Sequence, residues 1–91
     1  MFWTIAILIA IATALIVIKV AILNLHSIKE AARKEARASE FAFRIIKLRK
    51  EGEFYVARVG LLDDSRNEVR EIEVRSDRVE KDFQLRAVYE L

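Results

Sequence analysis

Hydrophobic residues form one long run at the start of the chain and shorter, alternating groups after residue 40. The run, MFWTIAILIAIATALIVIKV, carries no charged side chain before Lys19, and it stays largely apolar as far as Leu25. A helix over residues 2–23 would span roughly 33 Å, close to the thickness of the hydrocarbon core of a bilayer. The pattern therefore predicts a transmembrane helix over residues 1–25.

A cleaved signal peptide and a buried helix are the alternatives for this run. A signal peptide begins with basic residues and has a shorter apolar stretch, whereas here the bases follow the run. Lys19 is interpreted as an interfacial lysine whose ammonium reaches the lipid headgroups, and Trp3 as an aromatic residue at the opposite interface. A carboxylate on another subunit is the alternative partner for Lys19.

Residues 26–40 have the composition of a basic helix. The segment is rich in Ala, Glu, Lys and Arg and lacks Gly and Pro, and Glu30 precedes Lys34 by four residues. It predicts a juxtamembrane helix that continues the transmembrane one. Its bases place the N-terminus outside and residues 26–91 in the cytoplasm. The expected membrane-interface residues are Trp3, Lys19, Lys29, Arg33, Lys34 and Arg37.

Residues 41–91 are predicted to form a small β-rich domain, because the hydrophobic period changes to two. A phase shift at Ile46 indicates a β-bulge, and Gly52 suits a tight turn. Residues 54–62, FYVARVGLL, are typical of a central strand, residues 63–67 of a loop, and residues 69–75 of a half-exposed strand. The prediction is an α+β membrane protein with an antiparallel sheet of three or four strands.

The last segment is open to two interpretations. The strict alternation of residues 83–91 favours a strand, while Ser76 with Val79, Phe83 and Ala87 would suit a capped helix. The sequence therefore does not decide between strand and helix for residues 79–91. In either case one face of the sheet is expected to lack a covering layer unless the basic helix folds back, and an uncovered sheet face indicates a partner.

Composition excludes several kinds of site. The chain has 91 residues, a net charge of +2, one histidine and no cysteine, which leaves no disulfide and no ligand set typical of zinc. It has no phosphate-binding loop and no hydrolase or metalloprotease motif. His26 beside Ser27 lacks an orienting acid in the sequence nearby. We expect no catalytic residues, no cofactor, no metal and no nucleic-acid partner.

The predicted function is a non-catalytic, single-pass accessory or scaffolding subunit of a larger membrane protein complex. Its partners would be other membrane subunits and the lipid bilayer, with a homo-oligomer as a further possibility. The expected docking residues lie on the central strand: Phe54, Tyr55, Val56, Val59 and Leu61. The alternative is a viral or phage membrane protein, either lining the membrane of a virion or acting as a holin.

Overall fold

The computed structural model describes residues 15–91 of the chain. The elements in chain order are β1 (Ile16–Lys19), α1 (Leu25–Glu35), β2 (Ala42–Glu51), β3 (Phe54–Leu62), β4 (Glu68–Ser76) and β5 (Val88–Glu90). The strands form a single five-stranded sheet in the order β1-β4-β3-β2-β5, so the predicted antiparallel sheet of three or four strands is wrong. β1 runs parallel to β4, and the other neighbours are antiparallel. The meander β2-β3-β4 forms the centre of the sheet, and the two shortest strands form its edges.

Residues 16–19 lie in a strand and not in a transmembrane helix. Ile16, Val17 and Ile18 are β-branched, and strands in parallel pairs commonly have such continuous apolar sequences. Over residues 15–91, no helix is long and apolar enough to cross a membrane. The predicted membrane fold and the single-pass localisation derived from it are therefore wrong. Residues 1–14, with Trp3, lie outside the described part of the chain.

Asn24 determines where α1 begins. Its side chain accepts a hydrogen bond from the backbone N–H of Ser27 at 2.9 Å, as an N-cap residue does. The helix has 11 residues and ends at Glu35, because Ala36 has an extended backbone. The predicted continuation of a transmembrane helix into residues 26–40 is wrong, since this cap separates α1 from the residues before it.

The hydrophobic core lies between α1 and one face of the sheet. Ile28, Ala31 and Ala32 are the buried residues of the helix, and the two alanines let the helix approach the strands closely. The sheet residues of this core are fully buried: Phe43, Ile45, Ala57, Val59, Leu61, Ile72 and Val74. The basic segment thus folds back on the sheet and covers one of its faces.

Several local predictions for the sheet are confirmed. The register of β2 against β3 shifts between Ile45 and Lys47, which is the predicted bulge. Gly52 has a φ of 61°, as the predicted turn requires. β3 is the central strand. In the final segment only Val88–Glu90 form a strand, which pairs with the start of β2.

Candidate functional site

The sheet face opposite α1 has a different character, and we call it the open face. Alternation and register place the same-facing side chains of neighbouring strands beside one another on it. No helix among residues 15–91 covers this face, since α1 packs on the other one. The polar side chains on it are Lys19, Arg44, Lys47, Arg49, Glu51, Arg58, Glu68, Glu71, Glu73, Arg75 and Glu90.

Three arginines converge on one carboxylate near the middle of the open face, and we call Arg49, Arg58 and Arg75 the arginine cluster. Their Nη2 atoms lie 3.2, 3.5 and 3.9 Å from the carboxylate oxygens of Glu73, in that order. Glu73 is only 6 % exposed. A single buried carboxylate is thus shared by three guanidinium groups.

Strand register explains how residues distant in sequence form this cluster. Arg58 on β3 pairs with Glu73 on β4, while Val56 pairs with Arg49 on one side and Arg75 on the other. The long stems of the flanking arginines lie along the apolar surface there, and Val56 is fully buried. Two further bases complete the region, because Lys47 pairs with Arg58 and Lys19 with Arg75.

Hydrogen-bond donors on the open face outnumber the acceptors they reach. The Nε atoms of Arg44, Arg58 and Arg75 are buried and have no acceptor among the described residues. Arg49 is better satisfied: hydrogen bonds to Glu51 and Glu73 raise the pKa of its guanidinium. A guanidinium carries five N–H donors in a planar fork that matches a carboxylate or phosphate. Chemically, the face is suited to bind oxyanions.

A glycine creates a depression beside the arginine cluster. A Cβ atom placed on Gly60 would lie 2.1 Å from Oε1 of Glu68, so the Glu68 carboxylate rests directly over the glycine. Burial raises the pKa of Glu68. The negative charge of Glu71 and a hydrogen bond between the two carboxyl groups raise this pKa further. The positive charges of Arg44 and Arg58 act in the opposite direction. The depression is therefore filled by the Glu68 carboxylate, whose ionised form is disfavoured by its surroundings.

The core side of the sheet has one ion pair that is mostly buried. Arg70 on β4 binds Glu40, and the two residues line a cavity of about 330 Å³ with Ile16, Arg37, Ser39, Val69 and Glu71. The polar groups of this pair are already satisfied by each other. A second cavity, of about 350 Å³, lies near His26 and Lys19. Neither cavity contains three side chains able to hold a metal ion, and residues 15–91 contain no such group elsewhere.

The predicted docking residues of β3 differ widely in accessibility. Phe54 is 44 % exposed at one end of the open face, and Tyr55 is half-buried with the ammonium of Lys50 5.7 Å from its ring centroid. Val56, Val59 and Leu61 are fully buried. Docking on β3 stays a prediction, but in this fold three of the five predicted residues are not accessible to a partner.

The predicted membrane-interface residues that the structure describes belong to β1, to α1 and to the segment after it. Lys29, Arg33 and Lys34 belong to α1, and Arg37 follows it. Arg33 forms an exposed ion pair with Glu30 at 3.7 Å. Lys19 pairs with Arg75 on the edge of the open face, and it lines the second cavity together with Lys34. A role of these residues at a membrane interface stays a prediction.

No pattern in the sequence predicted the arginine cluster. The available signal was the spacing of Arg49, Arg58, Glu73 and Arg75 on the polar sides of three predicted strands. Bringing them together requires the strand register, which no local pattern supplies. Comparison with protein families, with curated proteins and with solved structures finds no match, so the site is interpreted from its own geometry.

Proposed function

We propose that this chain is a non-catalytic binding module that docks its open face on an acidic segment of a protein partner. The observation that supports this function is the arginine cluster, where three guanidinium groups share the carboxylate of Glu73. Lys19 and Lys47 stand at its sides, so five bases face three acids, because Glu51 pairs with Arg49 and Glu71 with Arg58 in addition to Glu73, and a positive excess remains. This local charge is complementary to glutamate and aspartate side chains of a partner.

The energetics favour carboxylates as the ligands of this surface. Hydrogen bonds between ionised partners are shorter and about twice as strong as neutral ones, and arginine can make two of them to one carboxylate. The Nε atom of Arg75 has no acceptor among the described residues, and that of Arg58 lies 3.6 Å from Oε2 of Glu71, too far for a hydrogen bond, so a reorientation of these side chains toward a partner would satisfy them. An incoming carboxylate would also relieve the repulsion among the clustered guanidinium groups.

This proposal keeps one part of the function predicted from the sequence and drops another. The non-catalytic role and the docking on a partner protein are kept, as proposals. The membrane span that the prediction included is not, since β1 occupies part of that run. The docking surface also moves, from the apolar residues of β3 to the charged side chains of the open face.

Binding of a defined acidic peptide tests this function. The probe is a fluorescein-labelled peptide of four Glu-Ser repeats, titrated with the purified chain and followed by fluorescence anisotropy. We expect saturable binding that weakens as sodium chloride is raised, because exposed charges are screened. A peptide of four Lys-Ser repeats should not bind. Equal binding of both peptides, or of neither, would contradict the proposal.

Charge reversal provides matched variants for the same assay. Arg58→Glu should weaken binding of the Glu-Ser peptide at least tenfold, whereas Arg33→Glu, on α1, should leave it unchanged. The two substitutions change the net charge equally, so a difference between them reports the position of the charge. If Arg58→Glu does not fold, as judged by circular dichroism, Arg58→Gln replaces it. Equal loss in the cluster and control variants would indicate nonspecific attraction and refute the proposal.

A further inference from the structure

The depression over Gly60 is bordered by positive charge on two sides. Arg44 on β2 pairs with Gly60, and Arg58 precedes the glycine by two residues on the same face of β3. Within residues 15–91, Arg44 has no ion pair, and its buried Nε has no acceptor. Gly60 has no side chain, which leaves a space at the bottom of the depression. The Glu68 carboxylate fills this space.

Glu68 is a weakly held occupant of this depression. It makes no ion pair within 4 Å to Arg44 or Arg58, although their charges act on it favourably. Glu71, which pairs with Gly60 from β4, repels the ionised form of Glu68, and the hydrogen bond between the two carboxyl groups favours only its protonated form. Glu68 is exposed to solvent, so its side chain can rotate away from Gly60 without disturbing the core. The fold thus contains a carboxylate-sized space with two arginines beside it and an unfavourably placed internal acid inside it.

From this arrangement we infer that the Gly60 depression is a second carboxylate subsite of the open face, which Glu68 occupies until an acidic side chain of the partner replaces it. This inference rests on the proposed function, since it divides the docking surface into two subsites. The first is the arginine cluster, and the second is the depression. Glu68 then acts as an internal competitor that lowers the affinity for acidic partners.

The spacing of the two subsites specifies the partner segment further. Residues 58 and 60 are two apart on one strand, a distance of about 7 Å along it. Side chains two residues apart on an extended partner segment lie on one side with the same spacing. The partner is therefore an extended segment with acidic residues at alternate positions. A segment with its acids three residues apart would not fill both subsites.

The Glu-Ser peptide assay tests the inference with Glu68→Gln. Removing the internal carboxylate charge should tighten binding by roughly threefold, the size expected for one exposed charge interaction. Glu30→Gln is the matched control, because it removes the same charge from α1 on the other side of the sheet. Equal affinities of Glu68→Gln and Glu30→Gln would overturn the inference. The proposed function would stand in that case, provided that Arg58→Glu still abolishes binding.

Gly60→Ala tests the depression itself. The three atoms nearest to its new methyl group all belong to the Glu68 side chain, which is flexible, so the fold should tolerate the substitution. The methyl group then occupies the space that we assign to the partner carboxylate. We expect weaker binding of the peptide and no further gain when Glu68→Gln is added to Gly60→Ala. Additive effects of the two substitutions would refute a shared subsite.

A peptide of four Glu-Ser-Ser repeats tests the spacing of the acidic residues. It should bind more weakly than the alternating peptide, and equal binding would refute the inferred spacing of two residues.

Discussion

Arg70 on β4 holds Glu40, in the turn after α1, by two parallel hydrogen bonds. The Nε atom donates to Oε2 at 2.8 Å and Nη2 donates to Oε1 at 2.9 Å. Arg70 also donates to the carbonyl of Glu35, and Glu40 accepts from the backbone N–H of Arg37 at 2.7 Å. The Glu40 side chain is 2 % exposed. The pair therefore fixes the C-terminal end of the helix to the sheet.

Glu40→Ala should destabilise the fold by about 3 kcal/mol, because it leaves the Arg70 guanidinium without its partner in a mostly buried position. Urea unfolding followed by circular dichroism measures the loss. Glu30→Ala is the control, since its ion pair with Arg33 is exposed on both sides and should contribute less than about 0.5 kcal/mol. A loss of similar size in both variants would mean that Glu40 has no special role.

The same carboxylate should make stability depend on acid pH. The hydrogen bond from Arg70 is the main cause that lowers the pKa of Glu40, aided by the Arg37 N–H and by both positive charges, while burial opposes them. A folded-state pKa below the unfolded one gives stability that is present at neutral pH and lost as the pH falls below about 4. Urea midpoints between pH 7 and pH 3 measure it. The gap between the wild type and Glu40→Gln should narrow on acidification, and a constant gap would contradict this assignment.

The same substitution at two adjacent residues of β1 should change the free energy of unfolding by very different amounts. Ile18 pairs with Val74 and packs against the core, whereas Val17 pairs with Glu73 on the open face and is 45 % exposed. Ile18→Lys should therefore cost about 2 kcal/mol, and Val17→Lys should be close to neutral beside the Glu73 carboxylate. The free energy of unfolding of each variant measures this. Equal costs would argue against a strand of this register.

The cap of α1 should contribute measurably to stability. Asn24→Ala removes the acceptor for the Ser27 N–H and should cost about 1 kcal/mol. Asn24→Asp keeps an acceptor and adds a negative charge at the helix N-terminus, so it should retain full stability. Thermal unfolding of the two variants provides the comparison. If Asn24→Asp were as damaging as Asn24→Ala, the hydrogen bond would not be the source of the effect.

Local signals were sufficient to predict the central meander. Alternation of apolar residues, interrupted at Ile46, predicts a strand with a bulge, and Gly52 between two strand patterns predicts a turn. Each of these features depends on residues within a few positions of one another. β2, β3 and β4 are consecutive antiparallel neighbours, so their pairing follows from the short connections between them.

The nonlocal features could not be read from the pattern. A run of β-branched apolar residues fits a membrane helix, a buried helix or a strand in a parallel pair, and only the pairing of Ile16 with Ile72 distinguishes them. Alanines give α1 only a weakly apolar side, yet Ala32 is fully buried because it faces an apolar sheet. Likewise Arg58 and Glu73 come together through β3–β4 register, which the sequence does not specify locally.

The parallel edge strand also has a consequence for the order in which the chain folds. β1 precedes β4 by most of the chain, so on the ribosome its partner appears long after it does. The meander needs only short loops to close, and it can form before the ends of the chain join it. Ile16, Val17 and Ile18 then stay unpaired until β4 has been made. Because β1 has only four residues and a single neighbouring strand, this edge of the sheet should also open before the meander does.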